Sequence, residues 1–134
     1  MKSRRVIDAG SLLLSYTRDE RARKLLGEVA SGVVEGYTCD LTMAELYYKT
    51  CEAFGREVAD LRHTSLRNSA VKVVATDERL TRTAGRLRCV CRGRISLADA
   101  YVIAVAQGLR GTLVTTDHLI EELGVVETRL LEIS

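Results

Sequence analysis

Ile95-Ser96-Leu97-Ala98-Asp99-Ala100-Tyr101-Val102-Ile103-Ala104-Val105-Ala106 decides how the rest of the chain is read. Apolar residues fill almost every position from Ala100 to Ala106, and small side chains at 98, 100, 104 and 106 let a neighbouring backbone approach closely. Such a stretch predicts a helix buried in the centre of a domain rather than one lying on its surface. Its first turn carries a carboxylate, Asp99. A desolvated carboxylate costs several kcal/mol unless a backbone donor or a cation compensates it. What Asp99 pairs with therefore bears directly on function.

Working outward, short β-branched runs alternate with amphipathic segments. Arg5-Val6-Ile7 predicts a strand ending at Asp8-Ala9-Gly10-Ser11, with a helix through Leu12-Leu13-Leu14 behind it. Thr17-Arg18-Asp19-Glu20 has the form of a capping box and predicts a helix that closes near Gly32. Val33 to Cys39 predicts a second strand. Thr42-Met43-Ala44-Glu45 repeats the box and opens a helix stopped by Gly55, followed by a helix over about Glu57 to Asn68 and a strand at Val71 to Ala75. Thr76-Asp77 caps the next helix, in which Arg79, Arg82 and Arg86 share a face and which ends before Cys89-Val90-Cys91. Beyond the buried helix, stopped at Gln107-Gly108, come a strand at Thr112 to Thr115, a short helix at His118 to Leu123 and an edge strand within Val125 to Ile133. Strands alternating with helices predict an α/β fold with a parallel sheet and right-handed crossovers.

With 134 residues, the chain is expected to form a single domain, 1–134, around one core. Apolar residues make up 46%, but in runs too short and too often broken by charge for a membrane span. The basic start Met1-Lys2-Ser3-Arg4-Arg5 leads into an apolar region interrupted by Asp8, with no small-residue cleavage site, so a cytoplasmic protein is expected. Cys39, Cys51, Cys89 and Cys91 contain no C-x-x-C pair, and the histidines are His63 and His118. That spacing suits a zinc site poorly and leaves buried thiols as the default. The net charge of +2 hides a run of six arginines and no acid from Arg79 to Arg94. Arginines at such density favour bidentate contacts to phosphate or carboxylate, with a solvated helix face as the plain alternative.

Asp8, Glu45 and Asp117 each follow a predicted strand, and Asp99 begins the helix before the fourth. Ligand sites of open parallel sheets lie beyond the carboxyl ends of strands where strand order reverses, so these acids can converge. Each also suits a helix cap: Glu45 and Asp99 stand third in Thr-x-x-Glu and Ser-x-x-Asp boxes, and Asp117 precedes the His118 helix. The set carries more than its members. Two carboxylates about 4 Å apart repel by about 4 kcal/mol at an effective dielectric near 20, so four in one pocket need a cation between them. All-oxygen donors suit Mg2+ or Mn2+ rather than zinc, and the chemistry natural to such ions is phosphodiester hydrolysis. G-x-G-x-x-G and G-x-x-x-x-G-K-[ST] are both missing from the sequence.

Val6-Ile7-Asp8, Leu41-Thr42-Met43-Ala44-Glu45-Leu46, Ser96-Leu97-Ala98-Asp99-Ala100-Tyr101-Val102-Ile103-Ala104 and Leu113-Val114-Thr115-Thr116-Asp117 resemble, in order and spacing, the four acidic motifs of PIN-domain ribonucleases, especially the VapC toxins. The resemblance covers nearly the whole chain. It implies a three-layer fold with a central parallel sheet of order 3-2-1-4-5 flanked by helices, and Asp8, Glu45, Asp99 and Asp117 around Mg2+ or Mn2+. It also implies cleavage of RNA, a VapB-like antitoxin that masks the site, and a homodimer, for which Tyr47, Tyr48 and Phe54 are candidate contacts or else core residues. In that strand order Asp117 is the ligand, while the similar Thr76-Asp77 falls at the sheet edge as a cap only. Family members usually carry a hydroxyl or amide residue two positions after the first acid, where this chain has Gly10. Ser11 is the candidate replacement, and Thr115 a candidate support for Asp117 or a bound water. Arg92 and Arg94, nearest Asp99 in sequence, with Arg86 and Arg82, are the candidate RNA contacts. The alternative is a PIN-like module that binds RNA or a protein without cutting.

Overall fold

The computed structural model describes residues 2–133, so Met1 and Ser134, the ends of the expected 1–134 domain, lie outside the described residues. The elements are β1 (Arg4–Ile7), α1 (Ala9–Leu14), α2 (Glu20–Ala30), β2 (Glu35–Cys39), α3 (Asp40–Phe54), α4 (Arg56–Arg67), β3 (Lys72–Val74), α5 (Glu78–Cys91), α6 (Leu97–Leu109), β4 (Thr112–Thr115), α7 (His118–Leu123) and β5 (Thr128–Leu130). Every strand pairing is parallel and the order is β3-β2-β1-β4-β5, the order that the resemblance implies. The chain builds outward from β1 to β3 on one flank, then crosses to the other through α5 and α6. Strand order thus reverses between β1 and β4, and the crevice beyond their carboxyl ends is where Asp8 and Thr116-Asp117 emerge.

Alternation along the strands divides the core into two layers. Val6 of β1 and Leu113 of β4 are partners in register and pack with α6, Ala84 and Cys91 of α5 and Ile120 of α7. Their successors Ile7 and Val114 face the opposite way, among Leu12, Leu25, Val29, Met43, Leu46 and Leu66 of α1 to α4. The organising helix is as buried as its composition demands: Ala100 to Ala106 are all inaccessible or nearly so. Each large aliphatic side chain so buried contributes about 1.5–3 kcal/mol. No helix among the described residues is long and apolar enough to cross a membrane.

Several boundaries differ from the expectations, each for a local reason. The Thr17 hydroxyl turns back to Leu14 O at 2.6 Å, and Asp19 caps α2 instead, accepting from Arg21 N and Ala22 N. β2 runs straight into α3, which starts at Asp40, so Thr42 and Glu45 lie inside the helix and form no capping box. Val33 is not in a strand because its N–H and that of Val34 both go to Glu28 O. α5 continues through the expected stop to Cys91, a buried anchor, and ends where Arg92 and Gly93 adopt positive φ. α6 passes Gln107-Gly108 and ends at Leu109, with Arg110 in the left-handed region. The expected edge strand shortens to Thr128–Leu130. The four thiols are free, but only Cys39 and Cys91 are buried; Cys51 is half-buried and Cys89 exposed on α5.

Candidate active site

β1 delivers Asp8 to the crevice, where its N–H still bonds Val114 O of β4 at 3.1 Å. Its backbone then turns into α1 and its side chain becomes the N-cap: Oδ1 accepts from Ser11 N at 2.8 Å, while Oδ2 accepts from the Thr115 hydroxyl. The residue is only 7% exposed. Burial pushes its carboxyl above the usual range, the bonds from Thr115 and Ser11 oppose that, and the charge of Asp99 adds to it.

Asp99 enters from the first turn of α6. Here the capping box expected from the sequence is complete: Asp99 N donates to Ser96 Oγ at 3.0 Å and Asp99 Oδ2 accepts from Ser96 N at 3.2 Å. Burial raises its carboxyl despite those bonds, and the charges of Asp117 and Glu45 push it further. Asp117 caps α7 through Leu119 N at 2.8 Å, and its own N–H donates to Thr115 Oγ1 at 3.0 Å. Glu45, in the second turn of α3, meets Lys49 one turn later, Oε2 to Nζ 2.8 Å. That bond favours the charged ammonium, and the field of Asp8 helps.

The four acids named from the sequence line one open hollow of about 310 Å³, together with Tyr48, Lys49, Ser96, Gly10 and Thr116. Thr115, beneath it and inaccessible, ties Asp8 to the Asp117 backbone across adjacent strand ends. Ser11 serves Asp8 through its N–H, but its hydroxyl bonds Val114 O at 3.2 Å and pins α1 to β4. The hydroxyl beside Gly10 belongs instead to Thr116: a Cβ on Gly10 would lie 2.3 Å from Thr116 Oγ1, so glycine at this position is what makes room for it. Asp77 caps α5 through Leu80 N at 2.8 Å and lines a different hollow, with Leu80 and Gln107.

Lys49 and Thr116 were not among the residues singled out in the sequence. Lys49 carried a legible signal, its i+4 spacing from Glu45 on a predicted helix. Thr116 did not, because only the fold brings it against Gly10. None of Arg82, Arg86, Arg92 and Arg94 lines the hollow. All are exposed, with Arg82 paired to Glu78 at 3.1 Å and Arg92 and Arg94 in the turn that leads to Ser96. Tyr48 and Phe54 are exposed rather than core residues, and Tyr47 is half-buried with its hydroxyl donating to Asp60 at 2.8 Å.

Among the described residues, no three His, Cys, Asp or Glu side chains are already gathered as a closed metal cage. The donor set nevertheless fits a hard divalent ion. Mg2+ keeps most of its waters and takes one or two carboxylates rather than a full protein shell, and two of these carboxylates, Asp8 and Asp99, are held above their usual range by burial and by the charge of neighbouring acids.

The PIN domain family model matches residues 5–126. Curated protein sequences give no significant match. Among solved structures, the chain is similar to one of DNA-bound VapBC from Salmonella typhimurium, with TM-score 0.77 and 14% identity over 96% of this chain and 98% of that one. It is also similar to VapBC2 of Rickettsia felis bound to a DNA fragment from its promoter, with TM-score 0.76 and 14% identity over 95% and 98%. A third similar structure is VapC20 of Mycobacterium tuberculosis, a sarcin–ricin-loop-cleaving toxin, with TM-score 0.72 and 20% identity over 93% and 98%.

Proposed function

This chain belongs to the PIN domain family, and on that premise we propose that it is a VapC-like, Mg2+- or Mn2+-dependent endoribonuclease held in check by a VapB-like antitoxin. One observation carries the proposal: carboxylates from the β1 end, α3, α6 and the β4 end share a single hollow, where the charge of Asp99 raises the proton affinity of Asp8 and the charges of Asp117 and Glu45 raise that of Asp99. A divalent ion bound there supplies an activated water and neutralises charge on the leaving oxygen. Asp8, Glu45, Asp99 and Asp117 are its ligands in this proposal. Thr115 fixes the spacing of Asp8 and Asp117, and the hydroxyl of Thr116 faces a water or phosphate oxygen in the hollow. The RNA backbone approaches past the turn that carries Arg92 and Arg94 to Ser96, with Arg86 and Arg82 further along α5.

The partners proposed follow the same relatives, which include VapBC complexes and a toxin–antitoxin complex from Klebsiella pneumoniae. A homodimer through the exposed Tyr48 and Phe54 of α3 completes the proposal.

Structured RNAs incubated with the protein and Mn2+ test this function. Wild type is expected to cut, Asp99→Asn to be inactive while folding normally, and EDTA to stop the reaction. Absence of cleavage together with a melting temperature unmoved by millimolar Mn2+ would refute the proposal and favour a module that binds without cutting, since a ligand of the folded state alone must raise it.

A further inference from the structure

At the opposite end of the sheet from the carboxylates lies a second hollow, about 410 Å³, whose lining is almost wholly polar. Arg5 of β1, Arg110 of the α6–β4 turn and Arg129 of β5 converge on it from three separate elements, with Thr112 among the lining residues and Thr128 and Ser3 at its border. The register explains the convergence. Arg5 pairs with Thr112, and Arg129 pairs with Val114 one pleat further on, so Arg5, Thr112 and Arg129 stand on the same face of β1, β4 and β5. Arg110 is carried there by the turn that ends α6: its φ is 53°, and Gly111 behind it packs so closely on Arg4 that a Cβ would lie 3.1 Å from Arg4 O. Glu127 borders the hollow, yet none of the three guanidinium groups has a carboxylate within 4.0 Å among the described residues. Arg4, also at the rim, is already engaged by Glu35 and Leu109 O.

Three guanidinium groups with no ion-pair partner among the described residues, beside the Thr112 hydroxyl, make a site for phosphate oxygens, which take bidentate and hydroxyl donors together. The concavity and the hydroxyl lining favour a phosphodiester backbone over an acidic protein segment. We infer that this hollow is a second RNA-backbone site, which holds a folded substrate at a distance from the carboxylates; the inference rests on the reading of the chain as a ribonuclease. Asp8 follows Arg5 by three residues, just past the end of β1, about 10 Å away at about 3.3 Å per residue. The path from one hollow to the other runs around the sheet edge and is longer than this straight interval, so a folded RNA suits it better than a short oligonucleotide. Substrate selection by folded shape follows.

The test uses the full chain and its variant Arg5→Gln/Arg110→Gln/Arg129→Gln. Binding of a fluorescent hairpin RNA is measured in EDTA, where nothing is cut, across a salt series. Three lost phosphate contacts at about 0.7 to 0.9 each lower the slope of log K against log salt by about 2 to 3. The variant is expected to bind the hairpin at least tenfold more weakly while retaining the wild-type melting temperature and, with Mn2+, the wild-type rate on a short unstructured oligonucleotide. An unchanged slope overturns the inference. So does displacement of the hairpin by poly-glutamate as readily as by polyphosphate, which would point to an acidic protein instead. If the triple variant unfolds, Arg129→Gln alone, exposed on the edge strand, must lower the slope by about 0.7 or the inference fails. Failure of wild type to cut any RNA sinks the nuclease function, not the binding measurement made in EDTA.

Discussion

Replacing Thr115 by Val isolates the coupling between the two strand ends that carry the site. Valine keeps the β-branched shape suited to a strand and leaves no cavity, so the change is one hydroxyl for one methyl. That hydroxyl donates to Asp8 Oδ2 and accepts from Asp117 N at 3.0 Å, in a side chain with no solvent access. A hydrogen bond to a charged group is worth about 1.5–3 kcal/mol, and an orphaned buried donor costs about 1–3 kcal/mol. Since Asp117 N is only part-buried and can recover a water, the low end applies to it. The sum is about 3 kcal/mol at neutral pH, or roughly 10 °C of melting temperature for a chain of this size.

Urea denaturation gives the stability, and manganese titration gives the second readout, because Thr115→Val also frees Asp8 and Asp117 to drift apart. Metal affinity is expected to fall, and Thr115→Ser, which restores the hydroxyl, to return most of both quantities. The stability difference is expected to shrink as pH falls and Asp8 takes up a proton, since the bond that Thr115 donates is the one that holds its carboxyl down against burial. A Thr115→Val protein within about 0.5 kcal/mol of wild type at pH 7, or a serine variant as damaged as the valine one, refutes the reasoning.

Burial raises Asp8 and Asp99, so between about 3.9, the unfolded aspartate value, and their raised values the folded chain binds more protons than the unfolded chain. Metal-free stability from these groups therefore falls as pH rises through that window. Urea midpoints are expected to show this as a loss that Asp8→Asn reduces and Mn2+ reverses. Lys49→Met removes the ammonium that holds Glu45 and is expected to tighten Mn2+ binding about fivefold, equivalent to a surface pair of about 1 kcal/mol; unchanged or weaker binding in calorimetry would show that Lys49 does not compete with the ion. Gly10→Ala drives a methyl against Thr116 Oγ1 and is expected to cost about 1–3 kcal/mol, with Thr116→Ala in the same chain restoring the urea midpoint. If the double variant is no better than the single one, the contact is not the cause.

How much of this could be read beforehand follows from how local each signal is. The strand at Thr112–Thr115 and the helix at His118–Leu123 have the bounds that the sequence predicted, because β-branched residues, a cap and a short apolar repeat mark them within a few positions. α6 was legible because seven consecutive residues are buried, which leaves no competing element. The three four-residue boxes were not equally informative. Only Ser96-x-x-Asp99 closes as a box, since Asp19 outcompetes Thr17 and β2 passes into α3 before Thr42 is reached. Strand order came from the resemblance to a family, as periodicity says nothing about which strand lies beside which. Thr116 at Gly10, and the meeting of Arg5, Arg110 and Arg129, join residues far apart along the chain, and no window of sequence contains either.

The sequence offered capping and ligation as rival explanations of each acid, and the geometry removes the rivalry. A carboxylate has two oxygens, and a cap uses one. Asp117 gives Oδ1 to Leu119 N, Asp99 gives Oδ2 to Ser96 N and Asp8 gives Oδ1 to Ser11 N. In Asp117 and Asp99 the second oxygen has no protein donor among the hydrogen bonds of the described residues, and in Asp8 it has Thr115. Glu45, inside α3, uses Oε2 on Lys49 and leaves Oε1 in the same state. The cap bonds are what orient the remaining oxygens: each fixes a side chain at a helix start, and the fold gathers three such starts at the ends of β1 and β4. Stability and site geometry thus share the same atoms. Substitution by Asn, which keeps a capping oxygen and removes the charge, is therefore expected to separate the two functions, whereas Ala removes both. For Asp8, Asp99 and Asp117 alike, Asn is expected to abolish the response of melting temperature to Mn2+, with little loss of metal-free stability at Asp99 and Asp117 and the loss of the Thr115 bond at Asp8, and Ala to lower that stability by about a further 1 kcal/mol per lost cap. Equal stability of the Asn and Ala chains at all three positions would show that the caps do not hold the site.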